Sequence, residues 1–184
     1  MIPVHEPASA AKVLAFWRDA GPARWFRKDP DFDAEFRERF LSAHEAAAGG
    51  ELDAWGRSAE GTLALLILLD QFPRNAFRGS PRMFATDPLA RTWCERALAA
   101  GFDQQIDASL RNFFYLPLMH AEDLADQQRA VRLTEPLGAD AHRFALLHRD
   151  IIERFGRFPH RNALLGRGSS AAEERFLAEG GFAG

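Results

Sequence analysis

The chain has 184 residues and one cysteine, with 47% apolar residues, 27% charged residues and 16 phenylalanines. That is enough to bury one substantial core without disulfides, so one domain over residues 1–184 is expected, and multi-cysteine metal sites are excluded. A net charge of -3 with pI near 6.1 argues against a nucleic-acid partner.

The N-terminal stretch MIPVHEPASAAKVLAFW lacks a basic region followed by a long apolar run. With the single Cys94, this favours a cytoplasmic location, no export and no membrane insertion. Nearly every later segment reads as helix punctuated by Gly, Pro and capping residues, which makes the fold class all-α. Ser9 is placed to cap a first helix ending at Ala20, before Gly21 and Pro22. Asp29-Pro30 opens a second helix, in which Phe32, Phe36 and Phe40 recur every four residues and Gly49-Gly50 mark the end. A short turn from Leu52 to Trp55 leads to Ser58, an expected N-cap.

The central stretch is Leu63–Asn75, LALLILLDQFPRN, apolar on every face and therefore expected to be packed on all sides around its axis. Its helix is expected to end near Asp70. There the carboxylate would meet the negative end of the helix dipole and require a cation such as Arg74. Pro73, Gly79 and Pro81 mark a loop, and Thr86 or Asp87 is expected to cap the next helix. Asp107 is expected to open a helix carrying Leu110, Phe113 and Phe114; Pro117 then kinks it or starts a new one, and the helical pattern resumes to Leu133. Helical spacing aligns Leu116, His120, Leu124 and Val131, which turns His120 inward. On a last long helix from Asp140 to Gly156, Phe144, Leu147, His148, Ile151 and Phe155 share a face. Ser170 with Glu173 reads as a capping box.

Two segments echo each other. DQFPRNAFRGS from Asp70 and GRFPHRNALLGRGS from Gly156 share FP, RN and GS elements, and each follows an apolar helix. Repeats of this kind imply related corners lying close together. The second lies in a stretch with an excess of arginines and histidines, suited to an anion or to a solvated face. Candidate catalytic residues are therefore His120, His148, His160 and Asp70. Candidate ligand-binding residues are Gln71, Arg74, Asn75, Glu122, Arg157, Arg161 and Asn162. For each of them, a satisfied internal ion pair or core histidine is the competing structural role. No HExxH motif, ExxH pair, Gly-rich phosphate loop or nucleophile elbow is present, so neither a metal nor a cofactor is expected.

The strings WFRKD at Trp25, GELDAW at Gly50, LLDQFPRN at Leu68, FATDPLAR at Phe84, FFYLPLMHAEDLADQ at Phe113 and HRDIIERFGRFPHRNALLGRGS at His148 resemble one bacterial family. It is catalogued as domain of unknown function nine hundred and twenty-four. The resemblance covers essentially the whole chain and departs at Ser58-Ala59, where similar proteins often have proline. It implies an all-helical, tetratricopeptide-like array of antiparallel helices, and it transfers no activity. Two functions follow as expectations: a small anionic ligand, with or without catalysis, held in an Asp/Arg/His pocket, or a tetratricopeptide-like scaffold for a protein partner.

Overall fold

The computed structural model describes residues 8–182. Residues 1–7, the start of the stretch read as lacking an export signal, lie outside it. Its helices are α1 (Ala10–Ala20), α2 (Pro22–Trp25), α3 (Pro30–Ala48), α4 (Ala59–Leu66), α5 (Phe72–Ala76), α6 (Asp87–Ala99), α7 (Asn112–Met119), α8 (Leu124–Thr134), α9 (Ala139–Phe155) and α10 (Ala171–Ala178). A π turn, Ile67–Gln71, joins α4 to α5. No strand occurs among the described residues, and none of their helices is long and apolar enough to cross a membrane.

Local chemistry sets most boundaries. The side chains of Ser9, Asp29 and Ser58 accept from backbone N–H groups in the first turns of α1, α3 and α4, supplying acceptors to donors the helix itself leaves unpaired. The expected box is formed at α10: Ser170 accepts from the Glu173 N–H while the Glu173 carboxylate accepts from the Ser170 N–H. Gly156 ends α9 at φ 69°, a left-handed conformation that costs glycine nothing.

Every residue from Leu63 to Leu69 is buried. α1, α6 and α7 pack on α4, while α3 packs on the π turn and α5, so the apolar run meets a neighbour on each face. Against it lies an aromatic cluster. Phe16 stacks on Phe32 and Phe36, Trp17 lies edge-on to Phe113, and the Trp25 indole N–H donates to the Trp17 carbonyl at 2.6 Å. The remaining helices follow as α7 on α8 and α8 on α9. Ile151, Ile152 and Phe158, with Phe155, Phe176 and Phe182 packed against them, form a second, smaller apolar cluster.

Several sequence expectations are corrected. The central helix does not end at Asp70; it continues through the π turn into α5, and the helical bond that Pro73 cannot donate leaves carbonyls of the preceding turn to side chains. Asp70 is therefore not at a helix C-terminus, and its stability does not turn on that dipole end. Asp107 opens no helix: its carboxylate accepts from the Ser109 N–H and hydroxyl, closing a local turn, and α7 starts at Asn112. α7 ends at Met119, so His120 caps a helix end instead of sharing a stripe with Leu124 and Val131. On α9, His148 and Ile151 are buried while Phe144 and Leu147 are exposed.

Candidate functional site

The π turn organises the site. At Ile67–Gln71 the backbone bonding widens, with the Phe72 N–H reaching the Ile67 carbonyl, so one extra residue enters the turn. Three carbonyls in this segment are then taken up by side chains, two of them from distant elements and one from the next turn. His44 Nδ1 bonds the Leu68 carbonyl at 2.9 Å, Thr86 Oγ1 donates to that of Leu69 at 2.5 Å, and Arg74 Nη1 donates to that of Asp70 at 2.7 Å. Thr86 consequently makes no side-chain cap on α6. The extra residue also rotates whatever follows by about 100° relative to a regular helix.

Asp70 is only 1% exposed. Its carboxylate meets Arg74 Nη1 at 3.1 Å and His120 Nδ1 at 2.8 Å, and accepts from Gln71 Nε2 at 2.5 Å. Burial alone would raise its pKa. Arg74, then His120 and Gln71, more than reverse that and hold it at about 2. An ionised carboxylate can only accept, so His120 Nδ1 carries the proton and Nε2 keeps its lone pair. Burial, reinforced by Arg74, lowers the His120 pKa against the pull of Asp70, and the ring is neutral.

Two more histidines stand close by. His148 lies with its ring centroid 6.3 Å from that of His120, and its Nδ1–H donates to the Phe144 carbonyl at 2.8 Å, leaving Nε2 free. Burial, with His120 beside it, pushes its pKa down to about 3. His160 is lowered to about 4 by burial and then Arg161, and its Nδ1 is buried without a hydrogen-bond partner.

Arg161 joins the two corners. Its guanidinium lies 4.7 Å from the Phe84 ring centroid and 4.5 Å from that of Phe158; Nη2 donates to the His120 carbonyl at 3.0 Å. Nη1 lies 3.5 Å from Asp87 Oδ2, the same carboxylate that pairs through both oxygens with Arg74 at 2.9 and 3.1 Å. The expectation that the FP corners lie close together therefore holds, and their arginines share Asp87 as an acceptor. Arg161 is 7% exposed, and its Nε has no partner. Burial and the like charge of Arg74 lower its pKa to about 10, so it stays charged at neutral pH in a field that disfavours a second cation.

Of the sequence candidates, Asp70, Gln71, Arg74, His120, His148, His160 and Arg161 are thus brought together. Glu122 borders them, accepting from the Phe158 N–H at 2.7 Å and from Arg167 at 2.6 and 2.9 Å, which ties the loop after α7 to the second corner. Asn75 instead donates to Asp33 at 2.7 Å on α3. Arg157 pairs with Glu173 at 2.6 Å, and Asn162 bonds Ser169 and Arg167; both brace α10. Sequence reasoning missed Asp87, read only as a cap, together with Phe84, Phe158 and Phe182. The FATDPLAR string held Phe84 and Asp87 but gave no sign that they face arginines.

No group of three His, Cys, Asp or Glu residues is placed to hold a metal ion among the described residues. Two open surface concavities lie elsewhere, one of about 580 Å³ beside Arg154, Arg157 and Glu173 and one of about 380 Å³ beside Lys28, Asp33 and Arg37. Neither is lined by a histidine.

The same arrangement of helices occurs in a solved structure of a protein of unknown function from Agrobacterium tumefaciens. It is 55% identical, covers 92% of this chain and 97% of that chain, and has a TM-score of 0.91. No curated protein matches the chain. The family model described as a bacterial protein of unknown function, DUF924, matches residues 13–181, a span that takes in both corners, the π turn and all three histidines. By that match this chain belongs to the DUF924 family.

Proposed function

We propose that the cluster around Asp70, His120 and Arg161 binds a small anion, and that His120 serves as its acid or base. The observation that carries this is Arg161: a charged guanidinium more than nine-tenths buried, with Nε unpartnered, beside a His160 Nδ1 that also lacks a partner. A buried donor left unpaired is costly, and an anionic oxygen would satisfy Arg161 Nε–H, and His160 in the tautomer that carries its proton on Nδ1, while offsetting the repulsion between Arg74 and Arg161.

Asp70 gives His120 its role. By holding the Nδ1 proton it fixes the tautomer that presents Nε2 as acceptor, and it stabilises the imidazolium once a proton arrives. An anion between the arginines favours that protonated form further. His148, with its Nδ1–H committed to Phe144, offers a second ring nitrogen as acceptor.

A scaffold role, with the tetratricopeptide-like array binding a protein segment, has one observation in its favour. Phe144 and Leu147 lie exposed three residues apart on α9, an apolar strip suited to a helical partner. It leaves the unpartnered Nε of Arg161 unexplained.

Calorimetric titration with inorganic phosphate and with acetate tests the anion reading. The parent should bind at least one of them, and Arg161→Lys, which keeps the charge but loses the planar fork and its Nε–H, should bind about tenfold or more weakly. No heat in the millimolar range, or equal binding by the lysine variant, would refute it.

A further inference from the structure

α10 ends in a turn that glycine alone permits. Gly180 has φ 81°, and the Gly181 N–H donates to the Phe176 carbonyl at 2.9 Å. A β-carbon at Gly181 would lie 2.4 Å from that same oxygen, closer than any side chain can sit. The next residue is Phe182. Its ring meets His148 edge-on with centroids 4.6 Å apart and His160 likewise at 5.3 Å, and its other neighbours are those of the small apolar cluster around Phe158.

We propose that Phe182 is the cover of the histidine site, governing access to His148 and His160 and the size of ligand admitted. The inference rests on the anion reading above for what is admitted, though the cover itself does not depend on it. A phenyl ring brings no acceptor, so seating it on two imidazoles removes water from polar nitrogens and puts nothing in its place. His160 Nδ1 is left buried and unpaired in this arrangement. At His44 the fold satisfies the equivalent atom: Nδ1 reaches a backbone carbonyl although the ring also stacks on a phenylalanine. An aromatic contact is therefore compatible with a paired Nδ1 at His44, whereas at His160 Nδ1 stays unpaired. A ring that keeps a site dry when empty and yields to a ligand accounts for the difference. The glycine turn fixes where that ring sits.

Two variants test this. Phe182→Ala removes the ring, and Gly181→Ala displaces it without removing it. Carbethoxylation by diethyl pyrocarbonate, which attacks neutral imidazole, is followed histidine by histidine by mass spectrometry, and binding is measured with inorganic phosphate and with phenyl phosphate. In both variants His148 and His160 should react several-fold faster than in the parent while His44 keeps its rate, and in Phe182→Ala the thermal midpoint should move little. Phenyl phosphate should bind the variants and not the parent, whereas phosphate should bind all three. Unchanged rates at His148 and His160 in Phe182→Ala would overturn the cover. Faster rates, with inorganic phosphate, phenyl phosphate and acetate all failing to bind any form, would uphold the cover and overturn the anion reading.

Discussion

His148 and His160 are neutral because burial outweighs what their charged forms would gain from the Phe144 carbonyl and from Glu122. Burial dominates for both, His120 adds to it at His148 and Arg161 at His160, so their pKa values fall from 6.5 to about 3 and about 4. Between pH 6.5 and about 4 the unfolded chain therefore binds protons that the native chain refuses, and stability must fall as pH drops through that window. Each histidine contributes a slope of roughly 1.4 kcal/mol per pH unit there. Urea unfolding between pH 7 and pH 4.5 should show this, and His148→Asn, whose amide can still donate to Phe144, should flatten the slope by about 1 kcal/mol per pH unit. An unaltered slope would mean that His148 is not the buried neutral group described here. The sequence pointed to His120 and His148 by helical stripes, but for His120 the break at Met119 abolishes the stripe. The ring faces inward because a cap residue at that break meets Asp70.

At the scale of elements, caps were legible and the π turn was not. Ser9, Ser58 and Ser170 cap their helices through contacts within three residues, so the local sequence contains the whole cause. The π turn depends on His44, Thr86 and Arg74 arriving to satisfy its carbonyls, and two of those come from other elements. Helix phase beyond it could not be read from spacing, which is why Asn75, an expected ligand-binding residue, faces Asp33. The start of α4 is equally specific. A β-carbon on Gly61 would lie 2.0 Å from the Trp55 carbonyl, a backbone atom that cannot step aside. Gly→Ala in a helix ordinarily gains up to about 1 kcal/mol, but Gly61→Ala should instead cost about 2 kcal/mol or more in chemical denaturation. A neutral or stabilising result would show that the turn before α4 is looser than the packing here implies.

Across the whole molecule two apolar clusters of unequal size share one chain. The larger holds the buried run Leu63–Leu69 and the aromatics of α1 and α3. The smaller holds Ile151, Ile152 and Phe158, braced by the Arg157–Glu173 pair. Regions with few buried apolar contacts open before the rest, so amides of α10 should exchange through local openings of lower free energy than those of α4. Equal protection in both would indicate a single cooperative unit. The all-helical class and the buried centre follow from composition and periodicity alone. The meeting of the two corners followed from their echo, whereas Asp87 and Phe182 are joined to the site by packing over long stretches of chain and left no local trace.

The claim that these side chains form one anion site is tested most directly by the ring resonances of His120, His148 and His160 during titration with phosphate and simple carboxylates. The account predicts that all three shift together and saturate, that their pKa values rise in the bound state because an anion favours imidazolium, and that Arg161→Lys weakens the response. Ring signals indifferent to every anion up to millimolar concentration would contradict it.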